Sequence, residues 1–232
     1  MSLFCMQGVT LRPRRRAGAD LLDGVDLQLD SGELVAVWGV QRAARAALLR
    51  VAAGVEAPSR GRVLLDGAPL PGGELAPGIG WCALPRTGEE EGRDVLGELM
   101  VGQIARGAGQ ARARELALQA LQRVDAAACA AYPRGELVPG EAVRVAIACA
   151  LTLAPRLLLL DEPTAGLDPR ERDELLALLR SLADEGLAVL AATGDGAALA
   201  GADRALALSH GRLRGHHAPR LAEVLPLRRA SG

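Results

Sequence analysis

The 232-residue sequence contains no lysine, so all 27 of its Lys and Arg residues are arginine. A site that depends on the compact ammonium group of lysine is therefore excluded. Aromatic residues make up only 2% of the chain, which argues against the base-stacking surfaces of proteins that bind single-stranded nucleic acid. The formal net charge of -1 gives no overall attraction to nucleic acid or to anionic membranes. We therefore expect no nucleic-acid partner.

Clustered cysteines and long apolar runs are also lacking. The four cysteines lie far apart and form neither a zinc-binding pattern nor a disulfide framework. No apolar run is long enough to cross a bilayer, and no secretory leader pattern is present. With 50% hydrophobic and 24% charged residues, the chain can bury a full core. The sequence thus predicts a soluble, cytoplasmic chain, with any membrane-spanning partner on a separate polypeptide.

An apolar run that stops at two acids is the most informative stretch, LLLLDEPTAGLDP at residues 157–169. The leucines predict a central strand of a parallel sheet, buried on both faces. At its carboxyl end, Asp161 is suited to hold Mg²⁺ through a water molecule, and Glu162 to polarise a water molecule that attacks a terminal phosphate. The alternative is that both acids merely open a turn before a helix that begins near Pro169.

A strand, a turn and a helix also follow one another in GELVAVWGVQRAARAALLRVAAG, residues 32–54. The strand is expected at Leu34–Trp38 and the helix from near Ala43. This order is typical of a P-loop, in which backbone N–H groups and a lysine cradle phosphates and a hydroxyl group binds Mg²⁺.

Most of the groups expected in a P-loop are replaced when this segment is aligned by Gly39. Arg45 stands at the lysine position, and two alanines follow it in place of the hydroxyl residues. An arginine and an alanine occupy positions where glycines allow close approach to phosphate. The candidate nucleotide-contacting positions in this segment are Gly39, Ala43, Ala44, Arg45, Ala46 and Ala47.

Together these segments resemble the Walker B, D-loop and P-loop regions of ATP-binding cassette (ABC) ATPases. PSRGRVLLDGAPL at residues 58–70 and VRVAIACALTLAP at residues 143–155 extend the resemblance to about residues 8–213. The resemblance implies an α/β P-loop NTPase core, with a mostly parallel sheet flanked by helices, an antiparallel β edge and an inserted helical subdomain. We expect one cassette over residues 1–232, with its core in residues 1–87 and 149–232 and its helical subdomain in residues 88–148.

Hydrophobic periodicity predicts the remaining elements of such a cassette. Strands are expected at Val9–Leu11, Val25–Leu29, Ile79–Leu84 and Leu187–Thr193, and helices at about Asp94–Ala105, Ala111–Val124 and Arg170–Ala183.

The resemblance also implies roles at the site. Glu162 corresponds to the catalytic glutamate and Asp161 to the metal-binding aspartate, while Asp168 corresponds to the D-loop acid at the interface between two cassettes. Arg86 stands where the family has a metal-contacting glutamine, and Gly194 where it has a switch histidine that contacts the γ-phosphate. The ABC signature, which serves ATP held by a partner cassette, corresponds to Leu137, Val138, Pro139, Gly140 and Glu141. Valine and proline there remove the signature hydroxyl and one backbone N–H.

The predicted function is that of an ATP-binding subunit of an ABC transporter, most similar to exporter-type cassettes, with weak or no binding of ATP and Mg²⁺ and weak or no hydrolysis. Such a chain is expected at the inner face of the cell membrane, as a structural or regulatory cassette beside a separate permease subunit and a second, intact cassette. One alternative is an active ATPase subunit that energises transport, since Asp161 and Glu162 are retained. A second is a soluble ABC protein with no role in transport, disfavoured because such proteins generally carry two cassettes in one chain.

Overall fold

Residues 2–13, 19–82 and 93–216 are described in the computed structural model. Their strands are β1 (Phe4–Leu11), β2 (Leu22–Leu29), β3 (Leu34–Trp38), β4 (Arg60–Leu65), β5 (Ala68–Pro69), β6 (Ile79–Cys82), β7 (Leu157–Asp161), β8 (Ala188–Thr193), β9 (Arg204–Ser209) and β10 (Arg212–His216). Their α-helices are α1 (Arg42–Ala52), α2 (Val95–Ile104), α3 (Gln110–Arg123), α4 (Pro139–Leu151) and α5 (Pro169–Asp184).

A six-stranded sheet forms the centre of the molecule, in the order β10-β9-β3-β8-β7-β6. Adjacent strands in this sheet are parallel, except that β9 and β10 pair antiparallel at one edge. Because parallel strands place their carboxyl ends at one edge of a sheet, the ends of β3, β7 and β8 come together. The predicted α/β core with a mostly parallel sheet is confirmed.

The leucine run of β7 explains how this sheet is covered. Leu157 and Leu159 lie in a core shared with α1, whereas Leu158 and Leu160 lie in a second core shared with α4 and α5. All four leucines are fully buried. Successive side chains of a strand point to opposite faces, so a continuous apolar run is what a sheet covered on both faces requires.

A second, antiparallel sheet has the order β2-β1-β4-β5 and packs against α1 from the far side. It is the predicted antiparallel edge, but β1 begins at Phe4, five residues before the predicted start at Val9. In the first part of β1, Phe4, Cys5 and Met6 are all buried. The alternating pattern used for the prediction is absent there because successive side chains, which point to opposite faces, are all buried.

Helices α2 and α3 pack together beside the sheet, and α4 joins their core to that of the sheet. The predicted helical subdomain ends at residue 148, a position inside the continuous helix α4. Asp94 caps α2 by accepting a hydrogen bond from the N–H of Gly97 at 2.7 Å. Across the described ranges, none of the helices has both the length and the hydropathy of a bilayer-crossing segment.

Candidate functional site

An open cleft of about 660 Å³ lies at the carboxyl ends of the parallel strands. Its walls come from the start of α1, the end of β7, the segment between β7 and α5, and the residues that follow β8. The lining residues are Arg42, Asp161, Glu162, Thr164, Ala165, Gly166, Leu167, Gly194 and Asp195. The fold therefore brings four of the residues singled out in the sequence, Asp161, Glu162, Gly194 and the P-loop residue Arg42, to one cleft.

Arg45 lies in the first half of α1 and points back into the site rather than toward solvent. Its side chain is only 5% exposed. One terminal nitrogen donates a hydrogen bond to the carbonyl oxygen of Gly39, and the other forms an ion pair with Glu162. Its Nε is buried without a hydrogen-bond partner among the described residues. The cation at the lysine position is thus bound to protein groups on two sides.

Glu162 is held from several directions immediately after β7. Its backbone has φ of 50°, in the left-handed region that non-glycine residues rarely adopt. Both of its carboxylate oxygens accept from the N–H of Gly194 at 3.0 Å, and the hydroxyl of Thr193 donates to Oε2 at 3.2 Å. With Arg45 as a further partner, this carboxylate connects β7, α1 and the end of β8.

Asp161 has a different environment although it is the preceding residue. Its Oδ1 is buried and has no hydrogen-bond partner within the described ranges. Burial, and next the adjacent charge of Glu162, raise the pKa of Asp161 above its usual value, while the charges of Arg45, Arg42 and Arg50 oppose that shift. Asp161 lines the cleft, and a carboxylate oxygen without a protein partner fits a hard cation such as Mg²⁺.

The turn between β3 and α1 is tightly packed at its start and open in the middle. A Cβ atom at Gly39 would lie 2.6 Å from the carbonyl oxygen of Leu208, so only glycine fits there. By contrast, Val40 is 79% exposed. Gln41, the N-cap residue of α1, makes no side-chain capping hydrogen bond.

The alanines at the start of α1 serve mainly as packing residues. Ala44 and Ala47 are buried in the core shared by the two sheets, Ala46 is half-buried and Ala43 is exposed. A methyl group offers neither a hydrogen bond nor a metal ligand, so none of these side chains can contribute to phosphate or metal binding.

The signature-equivalent residues lie away from the cleft, at the start of α4. Val138 occupies the N-cap position and is 52% exposed, and Pro139 is the first helical residue. The side chain of Glu141 accepts a hydrogen bond from the N–H of Val138 at 3.1 Å. A Cβ atom at Gly140 would lie 2.8 Å from Oε1 of Glu171 in α5. Leu137, the remaining residue of the signature-equivalent segment, packs against the core shared by α4 and α5. The described contacts of these residues stabilise the start of α4 and its packing.

Asp168 is a helix cap in this chain. Its side chain accepts from the N–H of Glu171 at 2.8 Å, and the Glu171 side chain accepts from the N–H of Asp168 at 3.1 Å. This reciprocal pair is a capping box for α5. Retention of an acid here therefore has a local structural reason besides the predicted contact with a second cassette.

One predicted site residue lies outside the described residues, and several residues at the site were not predicted. Arg86 falls in residues 83–92, outside the described residues. Thr193, which contacts Glu162, and Trp38, whose indole N–H donates to the carbonyl oxygen of Gly194 at 3.1 Å, were not predicted to act there. Trp38 and Thr193 are the last residues of the parallel strands β3 and β8. Their position at the carboxyl ends of predicted strands is the sequence feature that could have identified them as site residues. Arg42 was considered only as a replaced glycine, yet it lines the cleft.

Comparisons with known proteins give a consistent result. Residues 22–165 match the family model described as ABC transporter. The lipoprotein-releasing system ATP-binding protein LolD of Paramagnetospirillum magneticum is 35% identical over 216 residues, which cover 84% of this chain and 89% of LolD. The Fe(3+) ions import ATP-binding protein FbpC of Streptomyces coelicolor is 36% identical over 225 residues, but these cover 91% of this chain and only 61% of FbpC.

Solved structures agree with the sequence relatives. CbiO1 of Clostridium perfringens, part of an ABC transporter complex, has a TM-score of 0.81 at 26% identity, covering 92% of this chain and 87% of CbiO1. A second solved structure is a dimeric ATP-binding cassette in a post-hydrolysis state, bound to ADP and phosphate. It shares the fold, with a TM-score of 0.79 at 24% identity, and the match covers 93% of this chain and 98% of that cassette. The chain therefore belongs to the ATP-binding subunits of the ABC transporter family.

Proposed function

We propose that this chain is an ABC transporter cassette that does not turn over ATP at a useful rate and that acts as a structural or regulatory subunit. The observation that carries the proposal is the ion pair between Arg45 and Glu162. The side chain that replaces the phosphate-binding lysine neutralises the glutamate that the family resemblance assigns to catalysis. Both oxygens of this carboxylate already accept hydrogen bonds from protein groups, so neither is free to hold an attacking water molecule in place.

The residues present do not fit a magnesium nucleotide as a whole. Asp161 offers an unpartnered oxygen that suits a metal ion, but Ala46 supplies no hydroxyl ligand, and the two terminal nitrogens of Arg45 are already bonded to Gly39 and Glu162. Removing one preorganised donor typically slows a reaction on the order of a hundredfold to a thousandfold. Position 194, where the family resemblance predicts a histidine, also offers no side chain. The lack of several such groups supports weak or absent binding of ATP and Mg²⁺ and negligible hydrolysis.

The partners in this proposal follow from the family. The relatives include ATP-binding proteins named for iron import and for lipoprotein release. The proposal therefore includes a role in transport but does not specify import or export. The chain would work at the inner face of the cell membrane, beside a separate permease subunit. A second cassette with intact motifs would supply hydrolysis to the complex.

The experiment that tests the proposal is a comparison of ATP turnover by the native chain and by Glu162→Gln. We expect both proteins to stay at the background rate, because the carboxylate is already unavailable as a base. Turnover near a few per second, within the usual range of enzymes, that disappears in Glu162→Gln would instead establish the active ATPase favoured by the retained Asp161 and Glu162.

A further inference from the structure

We propose that Glu162 serves this chain as the fixed counter-ion of the buried Arg45, and that this pair, which leaves little room for a side chain at position 194, joins β7 and the end of β8 to α1 without a bound ligand. The inference deepens the proposed function and rests on it. It also gives a reason for the retention of an acid at position 162 in a chain whose P-loop has changed.

The burial of Arg45 makes a counter-ion necessary. Its side chain is 5% exposed, and a guanidinium group does not lose its proton in proteins. A buried charge without a partner is strongly destabilising, whereas a paired and hydrogen-bonded one is tolerated. Within the described ranges, Glu162 is the carboxylate that forms an ion pair with Arg45.

The contacts of the pair extend to the ends of three strands. Glu162 follows β7 and accepts from the Gly194 N–H and from the Thr193 hydroxyl at the end of β8. Arg45 belongs to α1 and donates to the carbonyl oxygen of Gly39, which follows β3. This ion pair and its hydrogen bonds therefore connect α1 with residues at the carboxyl ends of β3, β7 and β8.

The absence of a side chain at Gly194 is part of the same arrangement. A Cβ atom at this position would lie 3.2 Å from Oε1 of Glu162 and 3.3 and 3.4 Å from the two terminal nitrogens of Arg45. All three distances are tight for a methyl group, so a side chain at position 194 would require the pair to shift by a few tenths of an ångström. The fit of the Arg45–Glu162 pair is thus sterically coupled to the absence of a side chain at Gly194.

Thermal denaturation of the full chain tests this proposal with a cycle of four proteins, the native chain, Glu162→Gln, Arg45→Met and the double variant. Glu162→Gln leaves the buried guanidinium without its ion-pair partner, and we expect the Tm to fall by roughly 10 °C. In the double variant the uncompensated charge is gone, and at least half of that loss should be recovered. The matched control is Glu115→Gln, whose ion-pair partner Arg112 is 59% exposed and whose Tm should change by less than about 2 °C.

A second cycle tests the role of Gly194. Gly194→Ala should lower the Tm by about 5 °C in the native chain and by clearly less in the Arg45→Met background, because the added methyl group then no longer meets the guanidinium. Gly196→Ala is the matched control, since a Cβ atom at Gly196 has no neighbour within 4 Å, and it should behave alike in both backgrounds.

The outcomes separate this proposal from the proposed function. A Glu162→Gln protein within about 2 °C of the native Tm, a double variant as unstable as Glu162→Gln, or an equal effect of Gly194→Ala in both backgrounds overturns the counter-ion role. If Glu162→Gln fails to fold, a folded double variant supports the role and an unfolded one overturns it. ATP turnover measured on the native sample reports on the proposed function alone.

Discussion

The end of β7 and the start of α1 both line one cleft, but they differ in how far they match the family pattern that the sequence resembles. The first keeps Asp161 and Glu162, and the second has Arg45 followed by alanines in place of lysine and hydroxyl residues. In the folded chain Arg45 and Glu162 are bonded to each other. Under the proposed function, Glu162 therefore holds Arg45 instead of activating water.

The largest expected effect comes from rebuilding the turn so that it matches the end of β7. The variant carries Arg42→Gly, Ala44→Gly, Arg45→Lys and Ala46→Ser, which restores close backbone approach, a compact cation and a hydroxyl ligand. We expect its affinity for a fluorescent ATP analogue to rise on the order of tenfold or more. Turnover should stay at background, because Gly194 and Val138 are unchanged.

The control for the rebuilt turn is the same variant with Arg45 retained, which should bind like the native chain. Unchanged affinity in the full variant would show that the turn is not what limits nucleotide binding. Restored turnover would show that the family's switch and signature side chains are dispensable here.

A smaller effect is expected at Asp168, the acid of the same segment that also caps α5. Asp168→Ala removes the capping box and should lower the Tm by about 3 °C, the shift that follows from the roughly 1 kcal/mol of a typical N-cap. Asp168→Asn keeps a capping side chain and should remain near the native Tm. Equal loss in both variants would mean that the charge, rather than the cap, is the source of stability.

The opposite change is expected at Val138, an apolar residue in the N-cap position of α4. Val138→Ser provides a hydroxyl oxygen that can accept from the N–H of Glu141, and the Tm should rise by about 2 °C. Val138→Ala, which adds no acceptor, serves as the control and should give no increase. A rise in both variants would point to loss of the exposed valine rather than to capping.

The smallest effect concerns Asp161. Its pKa is raised in the folded chain, chiefly by burial, so folding favours the protonated acid. The contribution of this acid to the stability of the folded protein is therefore lost as the pH rises from the ordinary aspartate pKa near 4 through the higher pKa of the folded state. Asp161→Asn should therefore raise the Tm at pH 7 by about 1 °C, with a difference that shrinks as the pH falls toward about 4. A difference that grows on acidification would contradict the raised pKa.

Local sequence patterns predicted most of the fold because they reflect local physical constraints. The strand Leu34–Trp38 was predicted with the observed ends, and the leucine run before Asp161 is the expected buried strand. The capping box of α5 was also available in the sequence, since Asp168 and Glu171 have the required spacing. It was overlooked because the D-loop interpretation already gave Asp168 a role.

The contacts of Arg45 could not be predicted in the same way. Its partner Glu162 is 117 positions away in the sequence, and the pair exists because the parallel sheet brings the carboxyl end of β7 beside α1. Which charges meet at a cleft depends on the assembled sheet, and not on the periodicity of either segment. The sequence showed that position 45 lacks the compact ammonium group of lysine, but it did not indicate that Arg45 binds the glutamate.

The most direct test of the account is a calorimetric titration of the native chain with Mg-ATP, supported by the shift in Tm at 1 mM nucleotide. Because Arg45 and Glu162 are bound to each other, we expect no saturable binding at a Kd below about 1 mM and a negligible increase in Tm. Saturable binding at micromolar concentration, with a Tm that rises with nucleotide concentration, would contradict a site in which this pair replaces the contacts to phosphate.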